Sequence, residues 1–202
     1  MSHPELTTKN RRILVIDDDQ DIWKAYHQVL ESQEPDQESA LDQLNILVGS
    51  QPSDQPTFKV DYAPQGQEGF ELAKQAHDLQ QPYAVAFIDI RMPPGWDGLK
   101  TAAHIRKLDA NIEIVIVTAY SDRSRAEIAA KVGANDKLLF IRKPFDAEEL
   151  MQLAVSLTEK WQLNHNLQLT TTALQDSENR FRSLVETTSD WVWEMDMEGR
   201  FT

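Results

Sequence analysis

Five short apolar runs punctuate the chain at Ile13–Ile16 (ILVI), Phe58–Tyr62 (FKVDY), Ala84–Ile88 (AVAFI), Ile112–Val117 (IEIVIV) and Leu138–Ile141 (LLFI). Four are nearly continuous rather than alternating, as expected of strands covered on both faces in a parallel sheet. Apolar residues at helical spacing fill the gaps, over roughly 21–31, 66–80, 97–107, 122–132 and from 146 onward. This β-α alternation predicts right-handed crossovers and a doubly wound α/β fold. Residues 33–57 form an insert between the first helix and the second strand. Leu41, Leu44, Leu47 and Val48 predict an extra helix within it, and GSQPSDQPT reads as loop.

In an open parallel sheet, ligands gather at the carboxyl ends of the strands. Asp17-Asp18-Asp19 follow the first predicted strand, Asp89 the third, Thr118 the fourth and Lys143 the fifth. Two carboxylates about 4 Å apart repel by about 4 kcal/mol at an effective dielectric of 20. Such a cluster stays ionised only beside a counter-cation. All-oxygen ligands suit Mg²⁺ better than zinc or copper. A carboxylate beside such a cation and a lysine can attack phosphorus, while the positive charges and a threonine hydroxyl receive the phosphoryl oxygens. The competing structural role for the aspartates is helix capping or solvated loop.

The pieces ILVIDDD, FIDIRMP with a following DG, IVTA and IRKPF, in that order, resemble the receiver domain of two-component response regulators over about residues 10–160. The resemblance implies a flavodoxin-like five-stranded parallel sheet of order 2-1-3-4-5, with an extra helical insert after the first helix and a long C-terminal helix. It implies Asp89 as phosphoacceptor, and Asp18 directly and Asp17 through water as holders of Mg²⁺ (or Mn²⁺), with Asp89 and the Arg91 backbone carbonyl as further ligands. It also implies Thr118 and Lys143 as phosphoryl binders, Phe140 with Thr118 as the switch, and a cis Lys143–Pro144 bond. The expected partner is a histidine kinase or phosphotransfer protein. Such a chain accepts and loses phosphate by its own chemistry and is not otherwise an enzyme; any enzymatic output lies beyond residue 202. The MPPGWDG loop is one residue longer than the usual MP-x-x-DG. Two alternatives stay open: a pseudo-receiver that is never phosphorylated, and a Mg²⁺-dependent phosphatase with an aspartate nucleophile. The latter usually needs an acid two residues on, where this chain has Arg91.

The expected organisation is a tail over 1–10, a receiver over 11–146, a last helix and linker over 147–180, and a fragment resembling the start of a PAS sensory domain over 181–202. That fragment rests on Phe181, Leu184 and Val185, the run WVWEMD and a turn at Glu198-Gly199. From Asp146 to Arg182 there is neither proline nor glycine. Leu150, Ala154, Leu157 and Trp161 alternate by four and three, slip at Leu163, and resume through Leu167, Thr170, Leu174, Ser177 and Phe181. This is either a parallel coiled-coil seam making a homodimer or a helix packed on its own domain. The 202 residues carry a net charge of −13, which disfavours nucleic acid and anionic membranes. With no cysteine, thiolate chemistry and Cys-ligated metals are excluded. No signal peptide or membrane-spanning run is visible, and a cytoplasmic protein is expected.

Overall fold

The computed structural model describes residues 9–31, 56–119, 132 and 136–187. The strands are β1 (Arg12–Ile16), β2 (Lys59–Ala63), β3 (Val85–Asp89), β4 (Glu113–Thr118) and β5 (Leu138–Arg142). All pair in parallel, in the order β2-β1-β3-β4-β5. The order 2-1-3-4-5 expected from sequence is therefore present. The strands extend beyond the apolar runs because backbone pairing continues through Asp89, Thr118 and Arg142, so the polar residues are held by the sheet itself.

The helices are α1 (Gln20–Tyr26), continuing as a π-helical stretch over His27–Glu31, then α2 (Gly66–Asp78), α3 (Gly98–Leu108) and α4 (Ala147–Thr187). Alternation along each strand sends side chains to two cores. Leu14, Ile16, Ala86, Ile88, Ile114 and Ile116 meet Ala73 and Ala76 of α2 and Leu99, Ala102 and Ile105 of α3. Ile13, Val15, Phe87, Val115 and Val117 meet Tyr26 and Leu30 on one side and Leu150, Ala154, Leu157 and Trp161 of α4 on the other. Gly69 lets α2 lie against β1, since a Cβ there would meet Ile16 Cδ1 at 2.3 Å.

The chain divides into two compact units, residues 1–163 and 164–202. Leu150, Ala154, Leu157 and Trp161 are buried in the first unit. For these four positions the coiled-coil expectation is corrected: their apolar periodicity serves the domain's own core. Lys160 extends this attachment, donating to Glu113 Oε2 at 3.1 Å, a carboxylate with no exposed surface at the start of β4. From Leu163 onward the apolar stripe is exposed at Leu163, Leu167, Leu174, Phe181 and Leu184. The slip at Leu163 thus marks where the core-packing face ends.

Most of the expected tail and insert, the helix expected over 122–132 apart from Val132, and most of the PAS-like fragment (188–202) lie outside the described residues. Phe181 and Leu184 belong to α4, which runs through to Thr187. Among the described residues no helix is long and apolar enough to cross a membrane.

Candidate functional site

Strands β1, β3 and β5 bring Asp17, Asp89 and Lys143 together at the carboxyl edge of the sheet. Lys143 Nζ donates to Asp17 Oδ2 at 2.6 Å and pairs with Asp89 Oδ1 at 2.9 Å. Both aspartates are buried, whereas Asp18 is exposed. One carboxylate oxygen from each of Asp17, Asp18 and Asp89 lies within 4.8 Å of the other two. Three hard anionic donors on one concave edge fit a small divalent cation with water in its remaining positions. Neither Asp17 nor Asp89 caps a helix. Asp19 is the residue that caps α1, its side chain accepting from the Asp21 amide, and Asp97 caps α3 by accepting from the Lys100 amide at 2.7 Å.

Local backbone fixes each acid. The Asp17 amide donates to Ala63 O at 3.1 Å, and Asp17 Oδ1 accepts the Asp19 amide at 3.0 Å. Asp89 Oδ2 accepts the Arg91 amide at 2.9 Å. Lys143 hangs from a backbone bond, its amide donating to Thr118 O at 2.9 Å, and the Lys143–Pro144 peptide is cis as expected. The longer loop after Asp89 contains a second cis bond, Pro93–Pro94. The loop then returns so that the Gly98 amide donates to Ile90 O at 3.0 Å. A Cβ on Gly98 would stand 1.9 Å from Asp89 O. Only glycine fits there, so the extra residue is absorbed before Asp97-Gly98 and leaves that pair against β3.

Burial governs the electrostatics. Desolvation raises the pKa values of Asp17 and Asp89 from the ordinary aspartate value, outweighing the hydrogen bond and charge of Lys143. For Lys143 burial acts downward, but hydrogen bonds to Asp17 and Asp89 and their charges outweigh it, and its pKa is raised. The ammonium is therefore fully charged at neutral pH.

Thr118 ends β4, half-buried, one position beyond the residue paired with Asp89. Phe140 lies in mid-β5 opposite Ile116, half-buried against the core that also holds Ile114 and Ile116. Arg91 is exposed, and its amide faces Asp89. Two neighbours were not legible in the sequence. The Trp23 indole donates to Asp17 O at 2.8 Å. Tyr26 is fully buried, its ring 5.4 Å from both Phe87 and Phe145. Burial first, then the charges of Asp17 and Asp89, push its hydroxyl pKa well above 10. Trp23 and Tyr26 sit at ordinary helical core spacing, and no motif singles them out.

Residues 36–155 match the response regulator receiver domain family. That stretch begins after β1, so Asp17 and Asp18 join the matched part through the sheet. The C4-dicarboxylate transport transcriptional regulatory protein DctD of Rhizobium meliloti (strain 1021) is 31% identical over 151 residues, which are 75% of this chain and 26% of that protein. The sporulation initiation phosphotransferase F of Bacillus subtilis (strain 168) is 29% identical over 41% of this chain and 69% of its own. The chain thus spans about a quarter of DctD. Among solved structures, a CheY-like response regulator receiver domain protein from Methanospirillum hungatei JF-1 superposes with a TM-score of 0.54 at 19% identity, covering 76% of this chain and 98% of that one. At this identity the superposition shows the fold alone, a five-stranded parallel sheet covered by helices.

Proposed function

We propose how this chain works from one premise: it belongs to the response regulator receiver domain family, and so is a receiver domain of a two-component response regulator. Asp89 is the phosphoacceptor. The observation that carries this is the Lys143 ammonium held between Asp17 and Asp89 at the ends of β1, β3 and β5. An Asp89 carboxylate oxygen forms the bond to phosphorus as the bond from phosphorus to the donor's leaving group breaks. The leaving group departs with that electron pair and takes up a proton. Lys143 and the Thr118 hydroxyl receive the phosphoryl oxygens. Asp17, Asp18, Asp89 and the Arg91 carbonyl are the residues that would hold Mg²⁺ or Mn²⁺. Such an ion supplies positive charge to the transferring phosphoryl oxygens. Bringing a phosphate dianion to three carboxylates without it is opposed by their repulsion.

The donor is a histidine kinase or phosphotransfer protein, in keeping with the family. Thr118 and Phe140 form the switch: with Thr118 drawn to the phosphoryl group, Phe140 turns into the space left, a shift between two populated states. The exposed stripe Leu163, Leu167, Thr170, Leu174, Ser177, Phe181 and Leu184 advances by alternating steps of four and three, the spacing of a coiled-coil seam. We read it as the surface on which two chains pair in parallel. The receiver then extends to Leu163, with the start of a PAS domain at the far end. The relative DctD is named as a transcriptional regulatory protein; the net charge of −13 speaks against nucleic acid binding by this segment itself.

Incubation with acetyl phosphate tests the assignment. The unaltered chain incorporates phosphate in Mg²⁺ and fails to do so in excess EDTA, and Asp89→Asn incorporates none. Full labelling of Asp89→Asn, or undiminished labelling in EDTA, overturns it. A pseudo-receiver would show no incorporation at all.

A further inference from the structure

Every polar group of Asp17 is engaged. Its amide donates to Ala63 O, Oδ1 accepts from the Asp19 amide, Oδ2 accepts from Lys143, and its carbonyl accepts from the indole of Trp23 at 2.8 Å. The last of these differs from the others because it acts on the peptide that joins Asp17 to Asp18. Asp18 is exposed and starts no helix, so the direction of its side chain depends on the tilt of that peptide. The backbone is thus held on both sides of Asp17, the preceding peptide by the bond to Ala63 O and the following one by the indole.

The indole is itself braced. Trp23 sits in the first turn of α1, whose start is fixed by the Asp19 cap. Its ring lies 5.5 Å from that of Tyr62 on β2. The Tyr62 hydroxyl donates to Glu31 Oε2 at 3.0 Å, and Glu31 also accepts from the Val60 amide and pairs with His27. A bulky side chain tied at ring and nitrogen holds a peptide plane more firmly than a mobile polar one.

We infer that Trp23 is a positioning residue for the divalent cation, fixing the Asp17–Asp18 peptide so that both carboxylates face Asp89 before the ion arrives. This rests on the site proposed above. Groups that orient metal ligands through one intervening bond change affinity by about 10–100-fold when removed. Trp23→Phe keeps a ring against Tyr62 and deletes only the N–H donor.

Calorimetric titration of the full chain with Mg²⁺ alone is the test. Trp23→Phe should bind Mg²⁺ about tenfold more weakly, while its unfolding temperature in EDTA falls by only about 2–4 °C. At Mg²⁺ concentrations well above both dissociation constants, the two proteins should reach the same phosphorylation plateau. An Mg²⁺ affinity unchanged within about twofold overturns the role and leaves a helix-start tie. In the unaltered chain, the Trp23 indole N–H should exchange slowly with solvent and shift its NMR signal on Mg²⁺ addition. Rapid exchange and a signal indifferent to Mg²⁺ also overturn the inference, even if the variant fails to fold. An unaltered chain that binds no Mg²⁺ overturns the site itself, which separates the two failures.

Discussion

Replacing Lys143 with Met keeps a side chain of similar length and the backbone bond to Thr118. It removes the charge 2.6 Å from Asp17 and 2.9 Å from Asp89. Carboxylate oxygens of those residues lie within 4.8 Å of each other. At that separation two unit charges repel by about 3.5 kcal/mol at an effective dielectric of 20. Breaking a buried ion pair by removing one partner costs about 3–5 kcal/mol. The Lys143 side chain keeps 21% of its surface exposed, so solvent offsets part of the loss and the lower end applies. The expected cost at pH 8 is about 3 kcal/mol, a fall in urea midpoint of about 1.5 M for an m-value of about 2 kcal/mol/M.

The pH dependence has a definite sign. Burial holds Asp17 and Asp89 above the ordinary carboxylate value of 3.8, so the native state keeps protons that the unfolded chain has shed. Stability from these groups therefore falls as pH rises from about 3.8 through the native values. Without Lys143 those values climb further, and the penalty extends toward neutrality. Lys143 itself, with a raised pKa, contributes stability that is complete below its unfolded value of 10.5. Urea unfolding of both proteins at pH 5 and pH 8 should show the gap narrowing at pH 5, and narrowing at pH 8 when Mg²⁺ is saturating. An equal gap at both pH values would refute the electrostatic account of the site.

Three further outcomes follow from particular contacts. Gly98→Ala places a methyl group 1.9 Å from the backbone oxygen of Asp89; it should cost about 3 kcal/mol in urea unfolding, the upper end for overpacking, and slow phosphorylation by shifting the Asp89 segment. Trp161→Ala, at a position 4% exposed, should lose about 3–5 kcal/mol, whereas Leu174→Ala, 67% exposed, should stay within about 0.5 kcal/mol in a monomer. Light scattering should find the full chain dimeric and the triple variant Leu167→Ser, Leu174→Ser, Phe181→Ser monomeric with unchanged receiver unfolding; equal masses would remove the coiled-coil proposal.

The sheet was legible because β1, β3 and β4 are buried on both faces and read as nearly continuous apolar runs. Their last residues were less so, since Asp89 and Thr118 are polar yet still pair within the sheet. That Asp17, Asp89 and Lys143 share one edge follows from parallel pairing, because the carboxyl ends of parallel strands lie on the same side of the sheet. The α4 periodicity shows the opposite case: steps of four and three describe a core-facing helix and a coiled coil equally well, and only burial tells Leu157 from Leu174. Trp23 was invisible because its role depends on one indole hydrogen bond to a backbone carbonyl, which no residue spacing encodes. Glu113 likewise stands inside an apolar run with nothing beside it in the sequence to mark a partner. Its pairing with Lys160, 47 positions away, depends on where α4 crosses the sheet.

The phosphoacceptor can be located chemically. Treating the chain with acetyl phosphate and Mg²⁺, then with tritiated borohydride, reduces an aspartyl phosphate to homoserine and marks its position. Peptide mapping should find the label at residue 89 alone, with Asp17 and Asp18 unlabelled. Label at Asp17 or Asp18, or no label in a chain that binds Mg²⁺, would contradict the assignment of Asp89.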